Sequence, residues 1–470
     1  MLEKEYSWNW GNFFWAILVV ILAPNLFFGV LAQHLDLGRP YINIDYALVM
    51  LVVILNQRLL GIFFLFLSFF FDALGLVGQV FPILRLTDIF YVFSFVGITP
   101  WIYKFYILVF ILVYIFCCML CMRKSNSRKR LEILFCVNVL VLGYFYTAIF
   151  GGEDGKRIWR HTENPIIDSQ IVFGLESRET GFVQGLDAEG ALFEDVKISG
   201  ATAPWFDANK EVDEKVLLIV SESWGVTDKK LQEAILAPIL DLRESFTDWK
   251  RGSIDFRGIT VQAEMRELCQ LHPLHFNFEE HTEELKQCLP NLLKKRGYKT
   301  HAFHGAAGLM YDRMRWYPDV GFDKMTFFES HVWPRRCYSF PGACDSDMAD
   351  YVKKSLEAKG KVFSYWLTLN SHYTYDKRDI HSDYLDCEHF NLKVGSQSCR
   401  NFKLHAQFFN DLAGLLKSPV MSNTRVVVVG DHEPPITNAK EKEQYFTEGK
   451  VPWISLKVKN IRGAETVAKG

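Results

Sequence analysis

Hydrophobic and polar positions divide the chain into two regimes. Up to about residue 150 long apolar runs are broken by short polar gaps. Beyond about residue 215 the apolar runs are short, each ends in polar residues, and they alternate with amphipathic stretches. Residues 11–33 carry no charge and are long enough to cross a hydrocarbon layer of about 30 Å as a helix. This run lacks a small-residue cleavage site and is followed by more apolar runs, so it reads as a span and not a removable leader. Four further spans are predicted at about 43–56, 59–80, 100–122 and 131–150, about five in all. The loop RKSNSRKR (123–130) carries five basic residues, which the positive-inside rule puts in the cytoplasm. An odd number of spans then leaves everything after residue 150 on the outer side.

Residues 1–150 are thus expected to form an α-helical transmembrane bundle, and 151–212, mixed and polar, a connector near the membrane. From 213 to 470 the pattern predicts an α/β domain. KVLLIVSESWG (215–225), YKTHAFHGAAG (298–308), KVFSYWLTLNSHY (361–373) and RVVVVGDH (425–432) read as strands. Helix-like stretches at 281–297 and 345–360 lie between them. Such alternation predicts a mainly parallel sheet covered by helices on both faces.

Each predicted strand ends in chemistry. Glu222 follows the first, His304 the second, His372 the third, and Asp431 with His432 the fourth. One acid or histidine after a strand is ordinarily a turn residue. Four parallel strands ending this way converge on the carboxyl edge of a sheet, where open α/β folds place ligands. Carboxylate and imidazole donors suit zinc or manganese. Thr260, in RGITVQAEMRELC (257–269), opens a helix-like stretch. Taken alone it reads as a helix N-cap, with Glu264 near the capping-box position. A hydroxyl there would also lie where free N–H groups favour phosphate oxygens.

Composition narrows the partners. A net charge of −2 supplies no global basic field for nucleic acid. Cys117, Cys118, Cys121 and Cys136 lie in or beside predicted spans, where small apolar residues are unremarkable. Cys269, Cys288, Cys337, Cys344, Cys387 and Cys399 all fall in the outer part. An even number there predicts disulfides and an oxidising compartment. Six cysteines allow 15 pairings; sequence neighbours, 269–288, 337–344 and 387–399, are favoured. No Cys-x-x-Cys pair occurs in this part, which disfavours a thiolate zinc site.

Together, VSESWG (220–225), GITVQAE (258–264), FHGAAGLMYDR (303–313), LNSHY (369–373) and VGDHE (429–433) resemble the membrane-anchored transferases of the alkaline-phosphatase superfamily. That sulfatase-like group includes lipoteichoic acid synthases and phosphoethanolamine transferases. The resemblance runs from about 215 to 455 and implies an alkaline-phosphatase-like fold. It implies that Glu222, Thr260, Asp431 and His432 hold one divalent metal, zinc before manganese, with Thr260 as nucleophile. His304 and His372 would bind phosphate or move protons, and Arg313, with Tyr311 beside it, would bind phosphate. The implied reaction moves phosphoethanolamine from phosphatidylethanolamine to a hydroxyl of a surface glycan or lipid, through a phospho-threonine. The implied location is a bacterial inner membrane, multi-pass, with the catalytic domain in the periplasm. Phosphoglycerol transfer is the alternative. A sulfatase or phosphodiesterase ranks lower, because Cys/Ser-x-Pro-x-Arg is absent, as does a non-catalytic lipid sensor, which would have an eroded metal shell. Glu433-Pro434 and the alanines after His304-Gly305 depart from the family pattern and leave the transferred headgroup open.

Overall fold

A computed structural model describes residues 21–34, 37–80, 101–122, 130–150, 166–176, 188, 190–194, 198–278, 282–340, 342–373, 375–436 and 438–460. The chain divides into two compact units, Met1–Gln184 and Gly185–Gly470. The boundary falls inside the stretch 151–212.

The first unit contains α1 (Ala23–His34), α2 (Asp45–Ile54), α3 (Arg58–Val80), α4 (Trp101–Met122), α5 (Arg130–Phe150) and α6 (Gln170–Glu176). Among the described residues, Arg58–Val77 is one helix long and apolar enough to cross a membrane, and Lys104–Met119 and Leu134–Tyr146 are shorter apolar helices. At ten residues α2 rises only about 15 Å, half a hydrocarbon core, so the predicted span at 43–56 is too short to cross by itself. Residues 11–20 of the first predicted span and 123–129 of the basic loop lie outside the described residues. The interior of this unit holds a buried ion pair: Arg39 Nε and Nη2 reach the Asp72 carboxylate on α3 at 2.8 and 2.7 Å. Asn25 accepts a further bond from Arg39, and Tyr46 donates to Asp72. A buried pair survives its desolvation cost only when its remaining donors and acceptors are satisfied in this way.

The second unit is built on a seven-stranded sheet: β1 (Lys215–Ser221), β2 (Phe246–Asp255), β3 (Lys299–His304), β4 (Lys324–Thr326), β5 (Val362–Leu367), β6 (Thr424–Gly430) and β7 (Lys450–Val458). Their spatial order is β2-β7-β6-β1-β5-β3-β4. β1 lies at the centre and pairs in parallel with both β5 and β6. The sheet is mixed, because β7 runs antiparallel to both β6 and β2. The continuous apolar runs of β1 and β6 are explained by burial on both faces. Leu217, Ile219, Val426 and Val428 share one core cluster with Met348 and Val352 of the helix Asp345–Leu356 and with Phe409, Leu412 and Leu416 of the helix Gln397–Leu416. The α/β domain with a mainly parallel sheet expected from the strand pattern is present.

All three favoured disulfides form: Cys269–Cys288, Cys337–Cys344 and Cys387–Cys399. The four cysteines of the first unit, Cys117, Cys118, Cys121 and Cys136, are not disulfide-bonded.

Candidate active site

Parallel pairing carries the ends of β1 and β6 to the same edge of the sheet, since Ser221 is registered with Gly430. The next residues, Glu222 and Asp431, are therefore neighbours. Their carboxylates and the His432 ring offer ligand atoms within 4.8 Å of one another. His432 Nε2 lies 3.5 Å from Glu222 Oε1 and 3.3 Å from Asp431 Oδ2. Thr260 Oγ donates to Glu222 Oε2 at 3.3 Å and lies 3.4 Å from His432 Nε2. Four residues from three separate stretches thus converge.

Thr260 is not an N-cap. It is the first residue of α7 (Thr260–Cys269), Ile259 occupies the cap, and the Gln262 side chain accepts the Ile259 N–H. The hydroxyl is released from capping and turned toward Glu222 and His432. Glu264, expected near a capping box, is instead fully buried one helical turn beyond Thr260. It accepts from Arg313 Nε and Nη2 at 2.9 and 2.7 Å, from Tyr365 at 3.1 Å and from Tyr317.

That ion pair holds Arg313, expected to bind phosphate, within the protein. Three of its N–H groups are committed, two to Glu264 and one to the carbonyl of Met310. The guanidinium lies 5.0 Å from the centre of the Tyr311 ring, so the two are neighbours. Tyr311 adopts a left-handed backbone (φ 55°), strained for a residue with a side chain.

His304 is the last residue of β3, whereas His372 lies five residues beyond β5, in a turn. His304 is buried, and burial together with the Arg313 charge holds its pKa well below the ordinary imidazole range. Burial brings His372 down to about 4. Both rings are therefore neutral near pH 7. Each has Nδ1 against a backbone carbonyl, Leu367 for His304 and Tyr373 for His372. The carbonyl accepts, so Nδ1 carries the hydrogen and Nε2 keeps its lone pair. Phe340, within the Cys337–Cys344 loop, packs edge-on against His372 with ring centres 4.7 Å apart.

The donor set fits a divalent cation. Burial, and then the Glu222 charge, pushes Asp431 up to about 7. Burial opposes charge on His432 as well, but Asp431 and Glu222 outweigh it and raise its pKa. Asp431 Oδ2 is buried without a hydrogen-bond partner. Two facing carboxylates with an orphaned oxygen make an arrangement that a cation would relieve. With zinc–ligand bonds of about 2.0–2.1 Å, the edges of a tetrahedron are roughly 3.4 Å. The four separations above that involve Thr260 or His432, 3.3–3.5 Å, have that size, and the ligand atoms of Glu222, Asp431 and His432 all lie within 4.8 Å of one another.

Several neighbours carry no obvious mark in the sequence. Ser223 donates through its N–H to Asp431 Oδ1 and through its hydroxyl to Glu222 Oε1. Thr368 accepts the Glu222 N–H, and Ser371 donates to the Glu222 carbonyl. Arg266 reaches the carbonyls of Gly430 and Asp431. The polar run Ser221–Ser223 hinted at the first; only the placement of β5 and α7 reveals the rest.

The fold and this cluster define an alkaline-phosphatase-like α/β domain with a candidate divalent-metal centre. The family described as Sulfatase matches residues 215–454, just over half of the chain, and the chain belongs to that family. No curated protein matches it in sequence. Among solved structures, it is similar to the lipoteichoic acid synthase LtaP from Listeria monocytogenes, at 17% identity and a TM-score of 0.44, over 55% of this chain and 68% of that one. It is also similar to the C-terminal periplasmic domain of EcEptC from Escherichia coli, at 15% identity and a TM-score of 0.36, over 55% and 76%. A third is the soluble domain of lipooligosaccharide phosphoethanolamine transferase A from Neisseria meningitidis, at 12% identity and a TM-score of 0.34, over 53% and 78%.

Proposed function

We propose that this protein transfers phosphoethanolamine from phosphatidylethanolamine to a hydroxyl of a cell-surface glycan or lipid, through a covalent intermediate on Thr260. The observation that carries this is the Thr260 hydroxyl, freed from helix capping and set 3.3 and 3.4 Å from Glu222 and His432. Glu222, Asp431, His432 and Thr260 would hold the cation, zinc before manganese. When bound, it lowers the pKa of the threonine hydroxyl and offsets charge on the phosphoryl oxygens.

In the first step Thr260 Oγ forms a bond to phosphorus, the bond to the diacylglycerol oxygen breaks, and the threonine proton ends on that leaving oxygen. In the second step the acceptor hydroxyl attacks phosphorus, its proton returns to Thr260, and the phospho-threonine bond breaks. His304 and His372, neutral and with a lone pair on Nε2, are suited to carry those protons between alcohols. Arg313, braced by Glu264, supplies fixed positive charge close to His304.

The sulfatase reading is disfavoured by the absence of Cys/Ser-x-Pro-x-Arg. Three disulfides in the second unit support an oxidising, extracytoplasmic compartment. The apolar helix Arg58–Val77 and the shorter apolar helices Lys104–Met119 and Leu134–Tyr146 support a membrane anchor, which we place in a bacterial inner membrane.

The test is mass spectrometry of the peptide containing Thr260, after incubating the full chain with zinc and mixed phospholipid vesicles without acceptor. A phosphoethanolamine adduct on Thr260 is expected. A phosphoglycerol adduct would replace the donor. No adduct on zinc-loaded protein would overturn the covalent course.

A further inference from the structure

We propose that Ser223 is a positioning residue that couples the two metal-facing carboxylates, and that Asn401 and His405 of α8 (Gln397–Leu416) hold it in that role. The inference rests on the metal centre proposed above and adds residues outside the ligand set.

Ser223 is fully buried and has a left-handed backbone (φ 54°), which is uncommon and strained for a residue with a side chain. That conformation lets one residue serve both carboxylates. Its N–H donates to Asp431 Oδ1 at 2.7 Å, and its hydroxyl donates to Glu222 Oε1 at 2.9 Å. Asp431 Oδ2 and Glu222 Oε2 are not used by these bonds. Thr368 and Ser371 fix only the main chain of Glu222. Ser223 therefore fixes the carboxylates themselves, relative to each other.

The strained turn is braced from behind. The Ser223 carbonyl accepts from Asn401 Nδ2 at 3.1 Å and from His405 Nε2 at 3.0 Å. Both side chains are fully buried, one helical turn apart on the same face of α8. Burial draws the His405 pKa down to about 4, so near pH 7 the ring is neutral and spends its one N–H on this carbonyl. The other polar atoms of the pair, Asn401 Oδ1 and His405 Nδ1, are buried without hydrogen-bond partners. Apolar residues would fill this space at lower cost. What the polar pair achieves is two hydrogen bonds to one carbonyl, which hold Ser223 in its left-handed state.

The experiment uses the full chain in detergent, stripped of metal. Zinc affinity is measured by competition with a chromophoric chelator, and ligand geometry by the visible absorption of cobalt(II) in the same site. Ser223→Ala and His405→Leu should each weaken zinc binding roughly 10–100-fold, the usual effect of removing a group that orients a ligand. Both should alter the cobalt spectrum. His405→Gln should retain near wild-type affinity, because its amide N–H can take the place of Nε2–H. The melting temperature of each metal-free variant separates a lost brace from a lost fold.

Wild-type zinc affinity and an unchanged cobalt spectrum in Ser223→Ala would overturn the proposal and leave Ser223 a plain turn residue. If His405→Leu fails to fold, Ser223→Ala decides alone. A wild-type chain that binds neither zinc nor cobalt overturns the metal centre, and this inference with it.

Discussion

Arg266 donates to the carbonyl oxygens of Gly430 and Asp431 at 2.7 and 3.2 Å, so the helix that begins at Thr260 grips the strand end that carries Asp431 and His432. Arg266 is fully buried, paired with Glu267 at 2.7 Å, and its guanidinium lies 4.2 Å from the centre of the Phe256 ring. Glu267 in turn accepts the Thr202 N–H. Arg266→Met would strand the Glu267 charge in the interior, which typically costs about 3–5 kcal/mol. Replacing both residues by methionine is expected to cost less than the single change. Chemical unfolding followed by tryptophan fluorescence measures both; a double variant less stable than Arg266→Met would contradict the buried-charge account.

Thr260→Ala removes the proposed nucleophile and leaves α7 capped as before, because Gln262 and not Thr260 does the capping. Transfer should fall by roughly 10⁴-fold or more, on the scale of other nucleophile deletions, with an unchanged melting temperature. Thr260→Ser should keep the covalent adduct. Transfer by Thr260→Ala at even a tenth of the wild-type rate would remove Thr260 from the chemistry.

Asp431 is where stability and metal binding are expected to oppose each other. Its pKa is raised to about 7 by burial and by Glu222, so at neutral pH its charge destabilises the metal-free fold. The amide of Asp431→Asn keeps the oxygen that accepts from Ser223 and His432. Without metal, this variant should therefore melt higher than wild type. With zinc, the wild type should gain stability and the variant should not. Calorimetry with and without a chelator gives both numbers, and equal zinc-induced shifts would refute the assignment of Asp431 as a ligand.

Acid should loosen the far edge of the sheet through Asp213. Burial alone would raise its pKa, but hydrogen bonds from Lys457 and Arg425 outweigh burial and lower it. A carboxyl with a depressed folded pKa stabilises the fold above its unfolded value, near 3.8, and that stability is lost as the pH falls below it. Asp213→Asn should thus be less stable than wild type at pH 6, and the difference should shrink toward pH 3. A difference that stays constant between those values would assign the contribution to packing.

The disulfide Cys269–Cys288 joins the last residue of α7 to a position 19 residues on. Closing a loop of this length is worth about 3 kcal/mol in the chain-entropy picture. Paired Cys269→Ser and Cys288→Ser changes should lower the melting temperature and abolish the difference between this loop's reduced and oxidised forms. No loss of stability would mean that the unfolded chain is already compact here.

Much of the fold was legible because buried strands announce themselves. β1 and β6 lie in the middle of the sheet, and burial on both faces leaves no polar position in Val216–Val220 or Val426–Val429. β2 escaped detection for the opposite reason. As an edge strand it exposes Thr247, Asp248, Lys250 and Arg251, so no apolar run marks it. β7 alternates buried and half-exposed positions in its second half, but its direction is set by pairing partners and not by pattern.

The residue types at the ends of β1, β3 and β6 were fixed by the sequence alone, because covalent order dictates which residues succeed each buried run. So was the even set of outer cysteines. Distances and partners were not. Thr260 is 38 residues from Glu222 and 172 from His432, and only the parallel register of β1 and β6, with α7 clamped across them by Arg266, closes those gaps. The state of Arg313 was equally hidden, since a guanidinium pairs with the acid that packing delivers, here Glu264, 49 residues away. The left-handed backbone of Ser223 could not be foreseen from a serine codon either. Its strain is tolerated because Asn401 and His405, 178 and 182 residues later, bind its carbonyl. Local composition sets which chemistry is available; long-range packing decides which atoms meet.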